Sequence, residues 1–356
     1  MKQTVIFYIL LFMSSFLGYA AAQEGNPIQT GDKSGSVQPF SLELLTVQKI
    51  WDHAPHNAFT DLIRFKEQWY CAFREGKNHH LGGSIRIIRS SDGAAWESAG
   101  LLNYPAVLDG YDEADMRDAK LSITPAGELM LSTAVAFLKS DVRKEQSLSF
   151  FSPDGTSWSK PYDIGTLDEW MWRTTWHKGI AYNFGYSADK GRSGGIQLYY
   201  SKDGKVWAPL GPRYFEESGF PNEQGMVFTQ DDVCYTLLRR DQASCTAQLG
   251  RAVPPYDTFT WQDLGVRIGG PELIQLSNGS LLAAVRLYDG GPRTSLCWID
   301  ETAGTCKEML KLPSGGDTSY AGIVQQEDVL WISYYSSHEG KAGIYLAKVR
   351  TLYAVK

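Results

Sequence analysis

From residue 41 to the end of the chain, short strand-like runs alternate with turn clusters of Gly, Asp, Ser and Pro. No stretch longer than about ten residues keeps the apolar spacing of an amphipathic helix. The pattern predicts an all-β chain. One motif, Ser-x-Asp-Gly-x-x-Trp, occurs three times: Ser90 to Trp96, Ser152 to Trp158 and Ser201 to Trp207. Each copy follows a predicted strand, at Ile85 to Arg89, Leu148 to Phe151 and Ile196 to Tyr200. Asp and Gly suit a tight hairpin turn. The Asp side chain accepts from turn amides, and the Trp folds back over the strands.

The first residues follow another pattern. Lys2 is followed by an apolar run from Val5 to Leu17 and by Ala20, Ala21 and Ala22. This reads as an export signal over residues 1–22, cleaved before Gln23, and is too short for a membrane-spanning helix. No Cys follows the cleavage site, so a lipid anchor is not expected. Residues 23–40 are polar and read as a flexible leader, and 41–356 as a single domain. The mature chain is expected in the periplasm or outside the cell, as a monomer without a transmembrane segment.

Composition adds limits. Aromatic residues make up 13% and Gly numbers 35, which suits short strands and tight turns. A net charge of −6 argues against a nucleic-acid partner, which needs a basic face. The five cysteines leave at least one thiol unpaired within the chain. Cys297 and Cys306 flank a turn-like stretch and could face each other, and Cys71 reads as a buried thiol. No Cys/His spacing predicts zinc, and no cofactor or metal is expected.

The repeated motif resembles the Asp-box, or BNR repeat, of the sialidase superfamily. That resemblance implies a six-bladed β-propeller of four-stranded antiparallel blades, with each box between the third and fourth strands. Inner strands then fall near Phe59, Asp118, Arg173, Glu223, Glu272 and Tyr320. A degenerate box runs from Tyr256 to Trp261, and the strand Leu44 to Trp51 closes the ring.

In such a fold the inner strands converge on an axial pocket. Their polar residues are the candidates: His56, Asn57, Thr60, Asp61, Arg117, Asp118, Trp172, Arg173, His177, Asn222, Glu223, Glu272, Asp317 and Tyr320. The resemblance implies a Tyr nucleophile activated by a Glu, an Asp acid/base, and three Arg that hold a substrate carboxylate. Pro221-Asn222-Glu223 and Leu237-Leu238-Arg239-Arg240 match the segment supplying the Glu and an Arg, which points to Glu223 with Arg240, or Arg239. Arg293 matches the third Arg and Tyr320 the nucleophile. Two features depart from the family. Ala58 to Leu62 lacks the first Arg, and the loop Gly76 to Gly82 holds His79 and His80 but no Asp. Arg117 or Arg173 is left for the clamp, and Asp61, Asp118 or a His for the proton donor. Trp170, Trp172 and Trp176 could form an aromatic wall for a sugar.

Three functions fit. The first is an exo-acting glycoside hydrolase removing a terminal sugar, acidic or neutral, from a glycan. The second is a polysaccharide lyase using His56, His79, His177, Tyr320 and Arg240. The third is a glycan-binding propeller without catalysis.

Overall fold

The structure, a computed structural model, describes residues 38–104, 110–139, 142–188, 194–242 and 244–353. The predicted export signal, and residues 23–37 of the predicted leader, lie outside the described residues. The first strand begins at Phe40, inside the span read as leader.

The strands form six antiparallel sheets arranged as a six-bladed propeller, and no helix occurs among the described residues. The first strand of each blade lies innermost. These inner strands are His56–Phe65, Glu113–Ile123, the interrupted pair Glu169–Met171 and Thr175–His177, Pro221–Phe228, Ile268–Gln275 and Thr318–Gln326. Phe40–Trp51 pairs antiparallel with Gly343–Tyr353 and forms the outer strand of blade 6. That pairing ties the start of the described chain to its end and leaves no blade loose.

The inner strands share one irregularity that builds the site. In blades 1, 2, 4, 5 and 6 two residues of the inner strand oppose one on the second strand. The pairs are Phe59–Thr60, Asp118–Ala119, Asn222–Glu223, Gly270–Pro271 and Tyr320–Ala321. In blade 3 the gap at residues 172–174 does the same. Such a bulge bends the strand and re-aims its side chains. Phe59, Asp118 and Tyr320 accordingly take left-handed backbone angles, with φ of 61°, 55° and 52°. Non-glycine residues reach that region at a cost of order 1–3 kcal/mol. The packed blades hold them there, and the strain is concentrated where the strands meet the axis.

The three repeated turns close hairpins between third and fourth strands. In the second, Thr156 N and Ser157 N each donate to Asp154 Oδ1 at 2.7 Å, and Gly155 N donates to Ser152 Oγ at 2.7 Å. The other two repeat these bonds around Asp92 and Asp203. Each turn also abuts the preceding blade: Gly93 lies against Trp331, Gly155 against Tyr70 and Gly204 against Met130. Tyr70 donates its hydroxyl to Asp154 O at 3.0 Å. The motif therefore joins blades as well as turning the chain. Gly155→Ala puts a Cβ 2.4 Å from the Tyr70 ring at a φ of 79°. It is expected to lower stability by about 2–4 kcal/mol through overpacking and left-handed strain. Chemical denaturation of the variant checks this, and an unchanged midpoint would refute the inter-blade role.

Cys297 and Cys306 lie on the adjoining third and fourth strands of blade 5 as free thiols, and Cys71 is a buried thiol. The Cys306 thiol beside Cys297, with burial, pushes the Cys297 thiol well up.

Candidate active site

A cavity of about 250 Å³ opens at the end of the propeller where the inner strands begin. The bulges supply Phe59, Asp118, Asn222, Glu223 and Tyr320. The second strand of blade 4 supplies Arg239. Arg143 and Glu145 enter from blade 2, and the blade 1 loop brings His79 and His80.

Tyr320 and Glu223 sit 97 residues apart in sequence, yet the Tyr320 hydroxyl donates directly to Glu223 Oε1. Arg239 Nη1 donates to Glu223 Oε2 at 2.7 Å and to the Tyr320 hydroxyl oxygen at 3.0 Å. Gly270 N donates to the same Oε2 at 2.9 Å. Burial pushes the Glu223 carboxyl up, but Arg239, Tyr320 and Gly270 outweigh it and hold the group below the ordinary Glu value. Burial and the Glu223 charge push the Tyr320 phenol well up, against Arg239 and Arg286. The resting pair is therefore a carboxylate accepting from a neutral phenol. This is the arrangement needed for the carboxylate to take the phenol's proton as the phenol oxygen attacks.

Asp118 lies buried beside them. Burial raises its carboxyl, opposed by Arg117 and Lys120. Burial also pushes Glu145 up to about 7, against the neighbouring Arg143. Among the described residues, every arginine lining this cavity already has an acidic partner. Arg117 is 3.5 Å from Asp115, Arg143 meets Glu145, and Arg239 bridges Glu223 and Asp241. Among the described residues, the three arginines of the lining thus face Asp118, Glu145, Glu223 and Asp241.

At the rim, Asp317 joins several blades. Its Oδ2 lies 2.8 Å from His79 Nδ1 and 3.5 Å from His56 Nε2. Its Oδ1 accepts from the Tyr335 hydroxyl at 2.6 Å and from Arg286 Nη2 at 3.1 Å. His56, His79 and Asp317 bring three potential ligand atoms within 4.8 Å of one another. The surroundings suit a proton better than a divalent cation. Arg74 Nη1, a donor only, lies 3.5 Å from His56 Nδ1, and Arg286 already neutralises Asp317.

Several expected site residues lie elsewhere. Asp61, Arg173 and Glu272 form a buried ion group below the pocket. Arg173 Nη1 is 3.1 and 3.0 Å from the two Asp61 oxygens, and its Nε is 2.6 Å from Glu272 Oε2. Leu121 N also donates to Asp61 at 2.6 Å. With both oxygens engaged, Asp61 is not the proton donor of the upper pocket. Its group instead lines a second cavity of about 430 Å³ at the opposite end of the axis. His177 lies there too, stacked on Phe228 and bonded to Asp232. Trp172 is buried against Tyr320 and Tyr186, so it supports the site rather than forming a wall. Trp170 does line the pocket, whereas Trp176 lines the far cavity.

Arg240 turns away to Thr246 O and Asp263. The reason is register: Arg240 pairs with Pro221, so Arg239 is left opposite the Asn222–Glu223 bulge and faces the axis. Arg293 is held at the surface by Asp289 and Glu308. The blade 5 arginine nearest Tyr320 is Arg286, 5.6 Å from its ring. Asn222 lines the pocket and bonds Asp241. Arg286, Arg143 and Glu145 were not expected. Their sequence contexts carry no motif, and only the pairing of strands shows where they point.

No protein-family model matches the chain, and no curated protein matches it. Its fold is that of known six-bladed propellers. A protein of unknown function from Dyadobacter fermentans superposes with a TM-score of 0.73 at 19% identity, covering 87% of this chain and 99% of that one. The α-L-arabinofuranosidase of Fusarium graminearum gives 0.66 at 12%, covering 86% and 98%. Trypanosoma rangeli sialidase gives 0.61 at 12%, covering 83% of this chain and 55% of that one. Two of these three neighbours are glycoside hydrolases by name. At such identities the likeness is one of fold, and chemistry has to be argued from the site.

Proposed function

We propose that this chain is an exo-acting glycoside hydrolase that removes a terminal neutral sugar with retention. The observation that carries this reading is the Tyr320 hydroxyl donating to an ionised Glu223 inside the pocket. Tyr320 attacks the anomeric carbon while Glu223 takes its proton, giving a glycosyl-tyrosine that water then hydrolyses. The fold shared with an arabinofuranosidase and a sialidase supports a glycan substrate. The paired arginines favour a neutral sugar over an acidic one, because a substrate carboxylate would have to displace an existing partner from Arg117, Arg143 or Arg239. Residues 1–22 support export, so that the substrate would be met outside the cytoplasm.

A panel of aryl glycosides tests the reading. Release is expected from a neutral glycoside such as the α-L-arabinofuranoside, and none from the sialoside. Release from the sialoside would overturn the neutral-sugar assignment. No release from any member would sink the hydrolase, and ultraviolet absorbance from a uronate polymer would indicate a lyase instead.

The charge states favour one second reading, in which Glu223 attacks directly and Tyr320 orients it. Trapping with a 2-fluoro glycoside separates the two. The label is expected on the peptide holding Tyr320, whereas a label on Glu223 would exchange the roles.

A further inference from the structure

Protonation of the leaving oxygen needs an acid in a particular place. A pocket that holds a terminal sugar leaves the scissile oxygen facing the mouth. The acid must stand at the rim, within hydrogen-bond reach of that oxygen. Asp118 is buried on its inner strand, and Asp61 is tied to Arg173 and Leu121 N. Neither is at the rim.

His79 is. It lies in the loop between the second and third strands of blade 1, with its side chain 39% exposed, and lines the cavity that holds Tyr320 and Glu223. Its ring stands edge-on to Phe59 at 5.3 Å, and Phe59 stands edge-on to Tyr320 at 5.1 Å. Asp317 accepts at Nδ1 from a distance of 2.8 Å and is itself fixed by Tyr335 and Arg286. Burial opposes ionisation of Asp317, but its bonds to His56, His79 and Tyr335 hold its carboxyl well below the usual range. Asp317 therefore stays an acceptor and fixes the proton on Nδ1. Nε2 makes no hydrogen bond among the described residues and is the nitrogen able to carry a transferable proton.

We propose that His79, oriented by Asp317, is the acid and then the base of the hydrolysis, an assignment that rests on the glycoside hydrolase reading above. In the first step the Tyr320 oxygen bonds the anomeric carbon and its proton passes to Glu223. The glycosidic C–O bond breaks, its electron pair stays on the leaving oxygen, and that oxygen takes the proton from His79 Nε2. In the second step a water oxygen bonds the anomeric carbon and gives its proton to Nε2. The bond to Tyr320 breaks, and the phenolate recovers its proton from Glu223. Asp317 is a positioning residue. The other titratable or charged groups around His79 are His56 and His80, with Arg286 and Tyr335 behind Asp317 and Arg74 behind His56.

The test compares His79→Gln with wild type on two glycosides of the sugar found by the panel. One carries a dinitrophenyl leaving group, which departs without protonation, and the other an alkyl group, which does not. Turnover of the alkyl glycoside is expected to fall by about 10²–10⁴-fold. The pre-steady-state burst on the dinitrophenyl glycoside should stay within a few-fold of wild type, and azide should restore its turnover as the glycosyl azide. Asp317→Asn should lose less, with the loss falling on kcat rather than KM for the alkyl glycoside and sparing the dinitrophenyl burst. A fall in the dinitrophenyl burst as large as the fall in alkyl turnover, or no fall in either, would overturn the assignment. So would loss of wild-type activity on chelation with recovery on added zinc, because His56, His79 and Asp317 would then be holding a metal. Failure of the underlying reading looks different: wild type releases nothing, or Tyr320→Phe remains fully active.

Discussion

Tyr320→Phe is expected to lower glycoside turnover by roughly 10³-fold or more while leaving the protein folded, since it removes the attacking oxygen. The ring contacts survive the change. Tyr320 packs on Phe59 at 5.1 Å and Trp172 at 5.9 Å, and both are contacts of the ring. What disappears is the hydroxyl that donates to Glu223 and accepts from Arg239. Glu223 keeps Arg239 and Gly270 as donors, so its charge remains compensated. Glu223→Gln should cost about 10²–10⁴-fold, because an amide cannot take the phenol's proton. Its other effect is structural, since the amide nitrogen would face Tyr320 or the donors of Arg239 and Gly270. The pH profile gives an independent check. Glu223 must be ionised to act, and its carboxyl is held below the ordinary 4.5, so the acid limb of kcat/KM should fall below that value. Full activity in both variants, with circular dichroism unchanged, would remove this pair from the chemistry.

The largest expected effect on stability is at Arg173. This side chain is buried and holds two buried carboxylates, Asp61 and Glu272. Lys120 lies beside the group, donating to Thr60 O at 3.2 Å. Burial lowers the Lys120 ammonium, and the nearby Arg173 charge lowers it further, against Asp61, Asp118 and Glu272. Two cations thus balance two anions in the middle of the propeller. Arg173→Leu leaves Asp61 and Glu272 facing Lys120 alone and should cost about 3–5 kcal/mol, the usual result of breaking one side of a buried pair. Arg173→Lys should recover only part of this. A single ammonium cannot span Asp61 through one nitrogen and Glu272 through another as the planar guanidinium does.

The loss should depend on pH in a fixed direction. Burial raises the Glu272 carboxyl above its ordinary 4.5. A raised acid favours the folded state below its unfolded value and loses that contribution as pH climbs through the raised one. Removing Arg173 takes away the charge that opposes this rise and pushes the Glu272 carboxyl up further, so the deficit should be smaller near pH 4 than near pH 8. Urea unfolding at the two pH values measures it. A deficit under about 1 kcal/mol at both would mean that the ion group adds nothing to stability.

Much of the architecture was legible from local chemistry. The Ser-x-Asp-Gly-x-x-Trp turns satisfy their own amides within a few residues, so they can be read without the rest of the chain. Strand-like runs between turn clusters and the absence of helical spacing predicted strands, and Tyr320 and Glu223 stood out on inner strands and do meet. The side-chain directions were not legible. One extra residue in an inner strand reverses which neighbours face the axis, so the choice between Arg239 and Arg240 was open until the Asn222–Glu223 bulge fixed it. The same bulges put Tyr320 and Asp118 in the upper pocket, while Asp61, Arg173 and Glu272 fell into the channel below. His79 and Asp317 are 238 residues apart, and closure of the ring brings blades 1 and 6 together to pair them. The sequence by itself determined the turns, the strands and the types of chemistry present, because those depend on interactions a few residues long. Tertiary structure alone decided which charges meet, because that depends on register, bulges and the convergence of six blades on one axis.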